Sequence, residues 1–186
     1  MKPTIVVEGR HDEALLKRLL DLSGMDVEIV AAGGRSSALS YARSLLAHRV
    51  APIALVLDSE TTERSFERDQ ERVVNDLLRN IGQASDFKVF FARPELESVF
   101  FFDPNALLEV IGSAPSSEIL IEARYSPKHA LQEWLAAARK PTEQAWLIEH
   151  VTPAIARRVS QHPLIQSLLA FLGEHKSSTR LKPAAG

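Results

Sequence analysis

Four short apolar runs rich in β-branched residues or phenylalanine stand along the first half of the chain: IVV (5–7), DVEIV (26–30), PIALVLD (52–58) and FKVFFA (87–92). Between them lie stretches with helical spacing, the first carrying Ala14, Leu15, Leu16, Leu19 and Leu20, the second Ala38, Leu39, Ala42, Leu45 and Leu46. A third runs from about Glu63 to Ile81, with Phe66, Val73, Val74, Leu77 and Leu78 as its apolar members. Such alternation of strand and helix narrows the choice of fold sharply. Strands joined by crossover helices run parallel, the crossovers are right-handed, and a sheet of apolar strands must be covered on both faces. The expected fold is α/β, a Rossmann-like parallel sheet with helices on both faces, occupying residues 1–93.

From Pro94 the pattern becomes helical throughout, broken at Pro104, Pro115, Pro127, Pro141, Pro153 and Pro163. Residues 94–173 are therefore expected to form a helical extension packed on the sheet domain. Trp134, Leu135, Trp146, Leu147, Leu168 and Leu169 are assigned to its core, since aromatics at helical spacing usually pack inside. The polar stretch 174–186 is read as a flexible tail.

Lys and Arg number 22 against 24 Asp and Glu, so no overall basic field marks a nucleic-acid binder and any such contact needs a local patch. The absence of cysteine excludes disulfides and thiolate metal sites. No apolar stretch approaches the roughly 18 residues of a membrane span, and MKPTIVVEGR lacks the pattern of a signal peptide, so the cytoplasm is the expected location.

Acids mark the strand ends. In IVVEGRHDEALL, Glu8 follows three β-branched residues and is placed at the exit of the first strand, where ligands bind in open α/β sheets. Gly9 permits a tight turn. Asp12 stands before the helical run, where it serves either as an N-cap or as a second site acid. PIALVLD ends in Asp58, and Glu60 follows two residues later, on the same side if the chain stays extended. With the first and third strands as neighbours, Glu8, Asp12, Asp58 and Glu60 converge. Like charges so placed raise one another's pKa and call for a cation. Carboxylates without Cys or paired His suit Mg²⁺ or Mn²⁺ better than zinc, and such ions commonly engage substrate phosphates.

Other candidates are less determined. AAGGRSS places Gly33, Gly34 and Arg35 after the second strand, either as a phosphate-approaching loop or as a plain connection. Arg10 is a candidate phosphate contact and His11 is read as solvent-facing. PELES offers Glu95 and Glu97: either Glu97 completes a second metal site, or Glu95 merely opens a helix at its favourable dipole end behind Pro94. The rows Arg64, Arg68, Arg72 and Glu63, Glu67, Glu71 suggest i, i+3 pairs on a solvated face, or arginines that touch phosphates beside the site.

IVVEGRHDEALL resembles the motif of a hydrophobic strand, Glu-Gly, two variable residues and Asp, and ALVLDSE resembles a hydrophobic strand ending Asp-x-Asp. Together they resemble the TOPRIM domain of topoisomerases, primases, ribosomal RNA maturases and OLD-family nucleases, over residues 4 to 92. The resemblance implies a TOPRIM-like sheet and a divalent-metal site at Glu8, Asp12, Asp58 and Glu60, with Glu8 also serving as general acid or base. It implies a further acid after the fourth strand, for which Glu97 is available. Glu60 departs from the usual Asp. No lysine is matched to the basic residue of the nuclease members, with Lys88, Lys128 and Lys140 available. No G-x-x-x-x-G-K-[ST] loop is present, so any ATP hydrolysis needs a partner ATPase.

The expected function is a metal-dependent nuclease or nuclease subunit acting on DNA or RNA; a homodimer is left open. A rival is a receiver-like domain in which Asp58 accepts a phosphoryl group. A third is a non-catalytic module that binds nucleic acid or a partner.

Overall fold

The computed structural model describes residues 2–48, 52–83 and 85–178. Four strands, β1 (Thr4–Val7), β2 (Glu28–Ala31), β3 (Ile53–Asp58) and β4 (Phe87–Ala92), are all parallel and lie in the order β2-β1-β3-β4. Both inner strands are apolar because each is walled by a strand on either side and by helices above and below: β1 is wholly buried and β3 is buried up to Asp58.

The two-residue period of the strands divides the core. Ile5, Val7, Ala54 and Val56 face α1 (Arg10–Leu22), meeting Leu15, Leu16, Leu19 and Leu20. Val6, Leu55 and Leu57 face α2 (Arg35–Ala47) and α3 (Arg64–Arg79), meeting Ala38, Ala42, Leu46, Val74 and Leu78. The chain thus crosses from one face to the other on passing from β2 to β3. Strand order reverses between β1 and β3, a topological switch point whose crevice opens at the carboxyl ends of those strands.

The remaining chain is helical: α4 (Ser98–Phe102), a 3₁₀ turn (Pro104–Leu107), α5 (Leu108–Ile111), α6 (Ser117–Glu122), α7 (Pro127–Ala137), α8 (Gln144–His150), α9 (Pro153–Val159) and α10 (Pro163–Ser178). Prolines open α7 and α9, where a missing N–H costs no hydrogen bond. Ser116 and Thr152 cap α6 and α9 by accepting the N–H groups of Ile119 and Ile155. Trp134, Leu135, Leu147 and Leu168 belong to the same buried cluster as Ile5 and Leu16, so the helices share one core with the α1 face of the sheet. Arg18 of α1 ties into this half by donating to the Val151 carbonyl from Nε at 2.9 Å.

Several expectations change on contact with the structure. Trp146 and Leu169 pack only against the margin of the core. Ala14 is exposed, as are Phe66, Val73 and Leu77, at 57%, 55% and 41%. At about 100° per residue these three lie to one side of Val74 and Leu78, the narrow stripe by which α3 meets the sheet. The anticipated Arg64–Glu67 and Arg68–Glu71 pairs do not form: Glu67 pairs with Arg93 after β4, and Arg72 pairs with Asp69 at 3.2 Å. α10 continues to Ser178, beyond Glu174, where the tail was expected to begin; residues 179–186 lie outside the described residues. Among the described residues no helix is long and apolar enough to cross a membrane.

Candidate functional site

Glu8 leaves β1 at the switch point, and its Oε1 accepts the backbone N–H of Asp58, the last residue of β3, at 3.0 Å. Asp58 Oδ1 in turn accepts the N–H of Leu96 at 2.9 Å. Asp12 Oδ2 accepts the N–H of Gly9 at 2.9 Å. Each carboxylate is therefore pinned to the main chain through one oxygen. The second oxygens, Glu8 Oε2, Asp12 Oδ1 and Asp58 Oδ2, take no side-chain or backbone hydrogen bond from the described residues.

Helix α1 begins at Arg10 with Gly9 as its N-cap, so Asp12 is not the cap but the third helical residue reaching back to it. Gly9 itself has φ −126°, an extended conformation open to any residue, and glycine's freedom is not needed there.

Glu8, Asp12, Asp58 and Glu97 line one cleft of about 280 Å³ at this edge. Glu97 is 5% exposed and its Oε1 accepts Gln144 Nε2 at 2.6 Å. Larger clefts lie between β2 and α2 and between α3 and β4, but the first is lined by no carboxylate and in the second Glu67 is paired with Arg93, so chemistry rather than volume selects the site.

Burial raises Glu8, Asp12 and Asp58 above the ordinary carboxylate range. For Asp58, burial together with the charges of Asp12, Glu97 and Glu8 pushes the carboxyl up to about 8, against a small opposing effect of the Leu96 N–H. Burial also raises Glu8, offset by the Asp58 N–H and by the positive charge of Arg35, with Asp12 and Glu60 adding upward. Asp12 is raised by burial, with Glu95 adding upward, while the Gly9 N–H and the Lys128 ammonium pull it down.

Glu60 is placed differently from expectation. The strand ends at Asp58, and Glu60 turns into the left-handed region with φ 53°, exposed and outside the cleft lining. Buried Ser59 enforces the turn: its hydroxyl donates to the Thr61 carbonyl at 2.8 Å, while the N–H of Ser59 bonds Ala92 and that of Glu60 bonds Pro94. An extended path through Glu60 is thereby lost, although its charge still reaches Glu8.

Gly33 and Gly34 line the cleft with φ of 87° and 129°, so glycine is required at both. Of the two readings of this loop, phosphate approach or plain connection, the first needs free N–H groups, and both N–H groups donate to the Glu8 carbonyl, at 2.9 and 2.8 Å. The loop fixes the exit of β1 instead. Arg35 lies near enough to lower Glu8, is held by Gln70 Oε1 at 2.6 Å, and rests over Phe91 at 5.5 Å from the ring centre. Gln70 is anchored by donating to the Ser59 carbonyl at 3.1 Å. Arg10 is exposed and outside the cleft lining, while His11 reaches its rim.

Two residues of the cleft make contacts that the sequence reading did not anticipate. Lys128, the second residue of α7, brings a cation beside Asp12. Glu95 opens no helix of its own; its Oε2 accepts the Lys128 N–H at 3.0 Å and so caps α7. Nothing in local spacing signals either contact, because α7 arrives from more than 30 positions away, as the separation of 33 between Glu95 and Lys128 shows.

The donor set fits a hard divalent cation: half-buried carboxylates of Glu8, Asp12 and Asp58 carrying free second oxygens, no thiolate, and charges whose mutual repulsion an ion would relieve. Among the described residues no three His, Asp or Glu side chains are already gathered as a ready-made ion cage. What is fixed is the frame and one oxygen of each acid.

No family model matches this sequence, and no curated protein matches it. Two solved structures of the C-terminal region of the Xanthomonas campestris pv. campestris OLD protein match it. One, phased with iodine, is 15% identical with a TM-score of 0.43, covering 93% of this chain and 97% of that one. The other, phased with platinum, is 13% identical at the same TM-score and covers 94% and 97%. A likeness at this level carries no argument about activity, and the α/β assignment rests on the parallel sheet described above.

Proposed function

We propose that the protein is a divalent-metal-dependent nuclease, or a nuclease subunit, that cleaves phosphodiester bonds of DNA or RNA. The observation that carries this reading is the meeting of Glu8, Asp12, Asp58 and Glu97 in one cleft at the switch point, with Asp58 pushed up to about 8. The resemblance of IVVEGRHDEALL and ALVLDSE to TOPRIM motifs supports it.

Mg²⁺ or Mn²⁺, when bound, would neutralise the carboxylates, polarise the scissile phosphate and lower the pKa of an attacking water. Glu8, Asp12, Asp58 and Glu97 would hold it through their free oxygens. Glu60 stands beside this set and enters it only if its loop swings inward. Arg35, steadied by Gln70 and Phe91, presents a guanidinium suited to a substrate phosphate. Lys128 supplies positive charge near Asp12 for the phosphate or the leaving oxygen. If turnover is coupled to ATP, a partner ATPase has to supply it.

The test is cleavage of plasmid DNA and of RNA with Mg²⁺ or Mn²⁺ by wild type, Glu8→Ala and Asp58→Ala. Metal-dependent cleavage lost in both variants supports the reading; cleavage unchanged in both overturns it.

A further inference from the structure

Besides Lys128 in the cleft lining, the helical half touches an acid of the cleft through a second residue. Gln144 is the first residue of α8, which packs on α1, and it is only 5% exposed. Its amide nitrogen donates to Glu97 Oε1 at 2.6 Å, and this is a contact between two buried side chains 47 positions apart. A carboxylate accepts and does not donate, so only the nitrogen end of the amide satisfies it.

The choice of glutamine has a chemical consequence. A buried carboxylate oxygen without a donor is costly, so Glu97 needs a hydrogen-bond partner to stay at the cleft. Arginine or lysine would meet that need but would also cancel the charge. A neutral amide satisfies one oxygen, Oε1, without bringing a positive charge to the cleft.

We infer that Gln144 is a positioning residue of the acidic centre: its amide holds Glu97 by one oxygen and keeps the other as a cation ligand beside Asp58. The helical half thus completes the centre that the sheet begins. Outer-shell partners of this kind commonly change metal affinity 10- to 100-fold when removed. The inference rests on the metal-dependent reading above, and its test separates the two.

The test is titration of the full chain with Mn²⁺, followed by the electron paramagnetic resonance signal of the free ion. Wild type is compared with Glu97→Gln, Gln144→Met, the double variant, and Arg18→Met as a control. The last breaks a different tie between α1 and the helical half, at the Val151 carbonyl. Wild type is expected to bind saturably, with Gln144→Met weakening the same class of site as Glu97→Gln by about tenfold or more. The double variant should show little further loss, since both substitutions remove one coupled element, and Arg18→Met should bind as wild type does. If Gln144→Met does not fold, Gln144→Asn, which keeps an amide but falls a bond short of Glu97, carries the same expectation. Unchanged affinity in the folded Gln144 variant while Glu97→Gln weakens binding overturns the inference alone. An equal loss in Arg18→Met also overturns it, because the effect would then be general loosening. Absence of saturable binding by wild type overturns the metal reading and this inference with it.

Discussion

Replacing Asp58 by Asn removes one ionisable proton and little else. The amide Oδ1 still accepts the Leu96 N–H, and the main-chain N–H that Glu8 accepts is untouched. In the wild type, Asp58 is raised from 3.8 to about 8, so the native state holds a proton that the unfolded chain has released. A raised folded pKa means that stability is fully present below the unfolded value and is lost as pH rises through the folded one. By linkage, ionising this group disfavours the native state by about 5 kcal/mol at pH 8 and by about 1–2 kcal/mol at pH 5. About 3–4 kcal/mol of metal-free stability should therefore disappear between those pH values. Urea unfolding in chelator, repeated across pH 5 to 8, reads this directly. Asp58→Asn should flatten the curve and exceed wild type at pH 8 by about 2–4 kcal/mol. Divalent ion should close the gap: wild type gains about 4.1 kcal/mol at a concentration of about 1,000 times its dissociation constant, and the variant gains much less. A flat wild-type curve, or a variant less stable than wild type at pH 8, refutes the reasoning.

Other substitutions test separate parts of the account. Trp134→Ala, at a site 1% exposed whose indole N–H donates to the Ser113 carbonyl, should cost about 3–5 kcal/mol in urea unfolding. Gly34→Ala places a side chain at φ 129° and should cost about 1–3 kcal/mol, whereas Gly9→Ala, at φ −126°, should lower the thermal midpoint little. Lys128→Met, at an exposed position, should leave stability within about 0.5 kcal/mol yet lower metal-dependent cleavage about tenfold or more.

The parallel sheet was legible because its signal is local. β-branched runs alternate with helical spacing, and β4 falls on FKVFFA as read. Glu8 and Asp58 were legible for the same reason: each directly follows or ends an apolar run, and neighbouring strands bring them together. Glu60 misled because the turn depends on a buried serine closing back on Thr61, a tertiary circumstance that an alternation rule does not contain. Gly33 and Gly34 were read as a loop after the second strand, but the sequence does not show where their N–H groups go. Lys128, Glu95 and Gln144 were hidden by distance along the chain, since each acts through a contact between the sheet edge and a helix start far downstream. The exposed Phe66, Val73 and Leu77 show the same limit from the other side, as apolar residues whose partners a helical pattern assumed.

Anomalous diffraction from crystals grown with Mn²⁺ bears most directly on whether these acids share a cation. The account predicts a peak in the cleft within about 2–2.5 Å of carboxylate oxygens of both Glu8 and Asp58. Density that leaves both acids unliganded, at saturating Mn²⁺, would contradict it.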